Sequence, residues 1–282
     1  MELYQMGPIT LGFQGFPKYV DWPFRDWKLD AYKVSEGHPD VVVSYAPEAV
    51  TPQGRLLEEQ KFLIAKRQLW CEDGYLLWQQ IQQDGGLLQY KVTPNNITLL
   101  ADTTNTFGLA ALEAMTFFIS ECFLHKDILT FHSCVVEHNS KGFLLAGASG
   151  VGKSTHARLW RQHKNALILN SDRGCCYMQQ QQWMAFGTPW CGTGGEQINR
   201  QVPVQALVIL QQGNYNRITP LKGQEILLEV MPQIFAGWDS ANQRKMITLL
   251  DNFLRTIPVL RLECTPDAGA VDALYDYLEN LQ

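Results

Sequence analysis

Residues 147–154, Gly-Ala-Ser-Gly-Val-Gly-Lys-Ser, have the residue types and spacing of a phosphate-binding loop. The segment fits the pattern G-x-x-x-x-G-K-[ST], follows the apolar run GFLLA and precedes THARLWRQH, whose composition suits a helix. Glycines let backbone N–H groups turn toward phosphate oxygens, and the first turn of a helix adds the positive end of its dipole. The pattern therefore predicts a nucleotide-binding site. Its residues are Gly147, Ala148, Ser149, Gly150, Val151, Gly152, Lys153, Ser154 and Thr155.

Side chains on and after this segment would complete the site. Lys153 would bring positive charge to the β- and γ-phosphates, and the Ser154 hydroxyl would be a ligand of Mg²⁺, which keeps most of its water ligands. Thr155 would add a hydroxyl contact. The next apolar run, ALILN, leads to Asp172, which we predict to be a second metal ligand or to accept the proton of an attacking hydroxyl. The alternative is a turn aspartate paired with Arg173.

The composition is that of an acidic chain that should fold over most of its length. It has 282 residues, of which 46% are hydrophobic and 18% charged, and a net charge of −5. That sign argues against general capture of nucleic acid. No apolar stretch approaches the roughly 18 to 20 residues that span a bilayer, and the first residues do not resemble a signal peptide, so we expect a cytoplasmic protein without a membrane segment. The seven scattered cysteines predict neither a disulfide framework nor a structural metal site.

Residues 1–105 are predicted to form a β-rich N-terminal domain. Apolar runs alternate there with turns rich in Gly, Asp and Asn, and the clearest part is an antiparallel meander. Its runs are FLIAKRQLWC from Phe62, YLLWQQIQQ from Tyr75, LLQYKV from Leu87 and ITLLA from Ile97. A helix is predicted at residues 107–124, where apolar residues recur at intervals of three and four.

Residues 106–282 are predicted to form an α/β domain in which helices cover a sheet. The four glutamines at 179–182 are of the right length for the turn of a hairpin. The predicted strands lie near residues 129–137, 142–146, 166–170, 204–210 and 259–264, and the predicted helices begin at 153 or cover 223–235, 240–256 and 267–281.

The order of His132, GASGVGKST and LNSDR resembles HPr kinase/phosphorylase and its relatives. These include the HPr-kinase-like peptide kinases of lasso-peptide gene clusters and, more distantly, ATP-dependent phosphoenolpyruvate carboxykinase. The resemblance covers about residues 129–262, and the run GTPWCGTGGEQINRQVPVQALVIL looks like the peptide-kinase branch. It implies an α/β P-loop kinase of the HPr kinase/phosphoenolpyruvate carboxykinase-like type, with a mixed sheet and a preceding β-rich domain. It also implies an Mg·ATP site and transfer of the γ-phosphoryl group to a serine hydroxyl of a protein or peptide.

Two positions are interpreted through this resemblance. His132 matches the histidine that lies near the phosphates in the family, where it would be an acid/base or phosphate contact; the residues alone suit a core histidine equally well. Relatives often carry two adjacent aspartates where this chain has Ser171 and Asp172. Either Asp172 alone both binds the metal and accepts the hydroxyl proton, or His132 serves as the base, or phosphoryl transfer is slow.

The segment 187–195, GTPWCGTGG, is predicted to be a mobile lid on the substrate side, because so many glycines do not suit a buried strand. Trp190, Gly192 and Arg200 are the candidate substrate residues on and after it. The alternative is an ordinary connection between strands in which Trp190 is a packing anchor.

These observations lead to three functional hypotheses. The first is an ATP- and Mg²⁺-dependent serine kinase of a peptide or protein, with Lys153, Asp172 and His132 as its catalytic residues. The second is a nucleotide-binding regulatory or accessory module without turnover, which Ser171 favours. The third is a kinase of a small-molecule hydroxyl. The sequence leaves open the acceptor, ATP or GTP preference, reversal by phosphate and the oligomeric state, a homo-oligomer included.

Overall fold

The computed structural model describes residues 1–17, 28–104, 108–238 and 240–281. The chain divides into two compact units, Met1–Cys122 and Phe123–Gln282. Strands dominate, and the fold is mixed α/β with two mixed sheets. Among the described residues, no helix is long and apolar enough to cross a membrane.

The first unit contains a nine-stranded sheet with the order β3-β1-β2-β4-β9-β8-β7-β6-β5. Neighbouring strands are antiparallel except for β2 with β4 and β4 with β9, which are parallel. The strands are β1 (Glu2–Met6), β2 (Ile9–Gln14), β3 (Lys33–Val34), β4 (Val41–Tyr45), β5 (Arg55–Lys61), β6 (Ala65–Glu72), β7 (Tyr75–Gln82), β8 (Leu87–Thr93) and β9 (Asn96–Asp102).

The predicted meander is confirmed, because β6, β7, β8 and β9 pair as consecutive antiparallel strands. The predicted start of its first strand was wrong. Phe62, Leu63 and Ile64 do not open β6 but form the tip of the hairpin between β5 and β6, where they are 49%, 90% and 66% exposed. The Phe62 N–H donates to the Ala65 carbonyl (2.8 Å), which closes the turn. The apolar composition of the run hid a turn that polar residues usually form.

Helix α1 (Leu109–His125) confirms the helix predicted at 107–124 and packs largely within the first unit. Phe118 lies 4.8 Å from the Tyr90 ring on β8, measured between centroids. The Tyr90 hydroxyl donates to the Ala111 carbonyl (2.8 Å). These contacts join the helix to the sheet of the first unit, whereas the sequence assigned residues after 105 to the second domain.

The second unit contains an eight-stranded mixed sheet with the order β11-β10-β13-β14-β15-β17-β16, and β12 pairs with β10. The pairs β11–β15 and β15–β17 are parallel and the others antiparallel. The strands are β10 (Ile128–His138), β11 (Lys141–Ala146), β12 (Leu167–Asn170), β13 (Arg173–Gln179), β14 (Gln182–Phe186), β15 (Gln201–Gln212), β16 (Arg217–Pro220) and β17 (Val259–Cys264).

Helices lie on both faces of this sheet. Because side chains alternate along a strand, β10 contributes Val135 to one core and Val136 to the other. The first core includes Phe253 of α4, and the second includes Trp160 of α2. The helices are α2 (Lys153–Lys164), α3 (Gln224–Val230), α4 (Ser240–Thr256) and α5 (Ala268–Glu279).

The predicted hairpin at the glutamine run is confirmed. Strands β13 and β14 pair from Gln179 opposite Gln182, so the connecting turn is the two residues Gln180 and Gln181. Both have left-handed backbone conformations, with φ of 48° and 64°, which are the conformations that a two-residue hairpin turn requires.

Candidate functional site

A strand, a glycine-rich turn and a helix follow one another at residues 141–164. Strand β11 ends at Ala146, and α2 begins at Lys153. The connection, together with Lys153 and Ser154, is called the Lys153 loop (147–154) below. Gly147, Gly150 and Gly152 have positive φ values of 142°, 78° and 113°, which other residues rarely adopt. The path of the backbone thus suits glycine at both glycine positions of the motif, 147 and 152, and at 150 between them.

The Lys153 side chain folds back over its own loop. Its ammonium group donates to the carbonyls of Gly147 (2.8 Å) and Ala148 (3.3 Å), and the residue is 8% exposed. Burial lowers the pKa of Lys153, while Cys134 and Asp172 act in the opposite direction. The hydrogen-bond partners of the lysine are neutral carbonyl groups. A charged phosphate group would bind the ammonium group more strongly than these carbonyls do.

The loop leaves room and donors for an anion. Helix α2 has no side-chain cap at Gly152, its N-cap residue, so its first N–H groups keep their capacity to donate. A Cβ atom built on Gly150 or Gly152 would meet no atom within 4 Å, and Ala148, Ser149 and Gly150 are exposed. These features fit the phosphates of a nucleotide.

Asp172 and His132 are brought together beside this loop by strand pairing. Ser133 donates its N–H to the Asp172 carbonyl (2.9 Å), and His132 Nε2 lies 3.6 Å from Asp172 Oδ1. Arg173 Nε lies 3.5 Å from the other carboxylate oxygen. Burial lowers the pKa of His132, the charge of Lys153 lowers it further, and Asp172 opposes both. The predicted trio Lys153, Asp172 and His132 therefore forms one electrostatic cluster.

Asn170, which the sequence reasoning missed, joins Asp172 to the glycine-rich segment. It is fully buried, and its side-chain N–H₂ donates to the carbonyls of Thr188 (3.0 Å) and Trp190 (3.2 Å) and to the Thr188 hydroxyl (2.9 Å). Its carbonyl oxygen accepts from the N–H groups of Asp172 (2.8 Å) and Arg173 (2.6 Å). The only sequence signal was a polar residue at the end of a buried strand.

The sequence predicted a mobile lid at residues 187–195; residues 187–196, called the wall segment below, are closely packed at their start. Residues 187–190 are buried. Gly187 donates its N–H to the Arg200 carbonyl (3.0 Å), and just beyond the segment Ile198 donates to the Leu169 carbonyl (3.0 Å). A Cβ on Gly187 would overlap the carbonyl oxygen of Ile198 and lie 2.5 Å from that of Leu169. The glycine content here permits close packing of backbone against backbone.

The same close packing brings the wall segment onto the Asp172 end of the site. A Cβ atom on Gly192 would lie 2.9 Å from Asp172 Cβ and Cγ. One on Gly194 would overlap the Ser171 hydroxyl and lie 3.8 Å from Ser154 Oγ. Gly192, predicted as a substrate residue, thus lies beside Asp172.

Trp190 and Arg200, the other predicted substrate residues, lie elsewhere. Trp190 is 4% exposed and packs on Phe123 with ring centroids 6.0 Å apart, so it is the packing anchor of the alternative interpretation. Arg200 Nη2 lies 2.7 Å from the buried Glu137 Oε1. Glu137 is four residues along β10 from Ser133, which pairs with the last residue of β11, a separation of about 13 Å. The pairing with Glu137 therefore keeps Arg200 at the other end of β11 from the loop.

Gln233 is a further residue at the loop that sequence reasoning missed. Its side-chain oxygen accepts from the Gly147 N–H (3.3 Å), and the residue is 8% exposed. Arg173 lies with its guanidinium 4.6 Å from the centroid of the Phe235 ring. No local sequence pattern connects residues so far apart in the chain.

The side chains present suit Mg²⁺ bound together with a nucleotide. Ser154 and Asp172 would hold the ion, which commonly takes only one or two protein oxygens beside phosphate and water ligands. The described residues contain no group of three or more His, Cys, Asp and Glu side chains that could form a metal site without a nucleotide. An ion here would depend on the nucleotide phosphates for its remaining ligands.

Comparisons with known proteins place the chain in a family. A solved structure of the Hpr(Ser) kinase/phosphatase from Coxiella burnetii matches 53% of this chain and 95% of its own, at 11% sequence identity and a TM-score of 0.32. No curated protein matches the chain. Residues 98–267, about three fifths of the chain, match the profile of the SynChlorMet cassette protein ScmC. The chain belongs to the ScmC family.

Proposed function

We propose that this protein is an ATP- and Mg²⁺-dependent kinase that transfers the γ-phosphoryl group to a serine hydroxyl of a peptide or protein. The observation that carries the proposal is the cluster of Lys153, Asp172 and His132 at an uncapped helix N-terminus with a glycine-rich entry. Phosphoryl transfer needs positioning and charge neutralisation more than covalent chemistry from the enzyme, and this cluster can supply both.

Each residue of the cluster has a separate task in this proposal. The loop N–H groups and Lys153 bind the phosphates and neutralise their charge. Bound Mg²⁺ would neutralise further charge on the phosphates. The acceptor oxygen forms a bond to the γ-phosphorus as the bond to the β–γ bridging oxygen breaks, and ADP leaves. Asp172 or His132 accepts the hydroxyl proton, since both side chains are partly exposed, at 30% and 35%.

The test is transfer of label from [γ-³²P]ATP to serine-containing peptides in the presence of Mg²⁺. We expect product with the wild type, and at least a hundredfold less with Lys153→Ala, because a charge-assisted contact worth about 3 kcal/mol is lost. Asp172→Asn should also lose transfer while retaining ATP. Lys164→Ala is the matched control, because it removes a lysine from the other end of the same helix, where the side chain pairs with Asp272. Transfer that survives Lys153→Ala would refute the proposal.

A second candidate function is a nucleotide-binding accessory module with little turnover. It is favoured by one observation. The residue before Asp172 is a serine whose hydroxyl binds the wall segment, so this position does not supply a second carboxylate for metal binding or proton transfer. ATP binding that depends on Lys153, with no labelled product from any serine peptide, would select this function over the kinase.

A further inference from the structure

Ser171 makes three short polar contacts with the wall segment. It is 3% exposed, its hydroxyl lies 2.6 Å from the Cys191 carbonyl oxygen and 3.3 Å from that of Glu196, and it accepts from the Glu196 N–H at 3.3 Å. A hydroxyl can donate one hydrogen bond and accept others at the same time. Ser171 therefore binds both ends of the turn formed by residues 191–196.

This turn is the part of the wall segment that touches Asp172. Gly192 approaches the Asp172 side chain so closely that no Cβ atom would fit between them, and Gly194 approaches Ser171 in the same way. The Asn170 side chain accepts a hydrogen bond from the Asp172 N–H. The Asp172 side chain thus lies close to Gly192 of the wall segment, to His132 and to Arg173.

A carboxylate could not replace the Ser171 hydroxyl in these contacts. An ionised aspartate only accepts hydrogen bonds, and here it would face two carbonyl oxygens, of Cys191 and Glu196, in a buried position. The absence of a second aspartate at this position is thus linked to how the wall segment is held.

We propose that Ser171 is a positioning residue, which holds the wall segment against Asp172 and so fixes the carboxylate for binding a metal–nucleotide complex. This inference rests on the proposed function, since it concerns the same site. Ser171 itself touches neither nucleotide nor acceptor in this proposal. Ser171 positions Asp172 indirectly, by holding residues 191–196 in place.

Hydrogen–deuterium exchange of the full chain without ligand tests the first half of the proposal. Ser171→Ala should speed exchange of the Glu196 amide about fivefold, because this amide loses the hydrogen bond that it donates to the Ser171 hydroxyl. Gly194→Ala, which leaves the hydroxyl but pushes the segment away from it, should have the same effect, and Ser171→Asp a larger one. Ser133→Ala is the control: it deletes a fully buried hydroxyl, unpartnered among the described residues, on the adjacent strand. Unchanged exchange in Ser171→Ala would overturn the proposal.

Electron paramagnetic resonance of Mn²⁺ in the presence of adenylyl imidodiphosphate tests the second half. We expect Ser171→Ala and Gly194→Ala to weaken Mn²⁺ binding to the nucleotide complex about tenfold, while affinity for the metal-free nucleotide stays within twofold. Ser133→Ala should match the wild type in both. Faster exchange with unchanged Mn²⁺ affinity would refute positioning and leave a structural role. A wild type that binds no nucleotide would refute the proposed function instead, and the exchange comparison would still decide whether Ser171 holds the wall segment.

Discussion

The Lys153 loop and the wall segment are both rich in glycine, but glycine does not have the same role at every position in them. Gly150 and Gly152 have positive φ and open space around the position of a Cβ atom. Gly187 and Gly194 have no positive φ, but a Cβ atom on either would overlap a neighbouring group. At these four positions the Lys153 loop uses glycine for a backbone conformation and the wall segment uses it for close approach, while Gly192 and Gly195 of the wall segment also have positive φ.

This difference shows why glycine content alone does not indicate whether a segment is mobile or closely packed. A sequence rich in glycine is compatible with a loop that opens and with a segment too tightly packed to move. In the wall segment, the hydrogen bonds of Asn170 and Ser171 favour the second case. Substitutions in the two segments should distinguish these uses of glycine by the loss they cause in the free energy of unfolding.

Gly187→Ala should have the largest effect. The added methyl group overlaps the carbonyl oxygen of Ile198 and lies 2.5 Å from that of Leu169, both backbone atoms that cannot rotate away. We expect a loss of about 3 kcal/mol in the free energy of unfolding, measured by urea denaturation. A loss below about 0.5 kcal/mol would mean that the wall segment can shift, and would restore the idea of a lid.

Asn170→Ala should have the next largest effect. It leaves the carbonyls of Thr188 and Trp190 and the N–H groups of Asp172 and Arg173 without their buried partner. We expect a loss of about 2 kcal/mol, since buried polar groups are costly when unpaired. Asn252→Ala, at an exposed position of α4, should stay within about 0.5 kcal/mol in the same urea assay. Equal effects of the two substitutions would show that Asn170 does not support the wall segment.

Local patterns in the sequence predicted most of the elements. The meander, α1, the hairpin at Gln180 and the start of α2 at Lys153 all follow from periodicity and turn residues. What failed was the run at Phe62, where three apolar residues form an exposed hairpin tip. Strand patterns rest on burial, so an exposed apolar run is misassigned when only composition is available.

The candidate site was predictable where its residues adjoin a strand end or a loop, as for Lys153 and Asp172. The contact of Gly147 with Gln233 spans 86 residues, and that of Asn170 with Thr188 spans 18. Such contacts depend on sheet order and register, which a single sequence does not specify. For the same reason Arg200 was assigned to the site although it pairs with Glu137.

Gly150→Ala should cost less than either substitution in the wall segment. A Cβ atom there meets nothing within 4 Å, so the cost is that of a left-handed conformation for alanine, about 1 kcal/mol. Urea denaturation should show this small loss, and calorimetry should show weaker binding of Mg·ATP, because the strain favours other loop conformations. A loss as large as that of Gly187→Ala would contradict the contrast between the two segments.

Glu196→Gln should have the smallest effect, because it keeps the shape of the side chain, which is 19% exposed, and removes only a charge whose partners are exposed arginines. Glu196 Oε1 lies 2.6 Å from Arg161 Nη1, and Oε2 lies 3.8 Å from Arg158 Nε, but both arginine side chains are at least half exposed. Water screens such pairs, so we expect a loss of about 0.5 kcal/mol that nearly vanishes in 1 M NaCl. A larger, salt-independent loss would mean that these ion pairs, rather than glycine packing and the contacts of Asn170 and Ser171, hold the segment. We expect a small loss for Glu196→Gln and a large one for Gly187→Ala for the same reason: the buried contacts of the wall segment, rather than its ion pairs with exposed arginines, hold it in place.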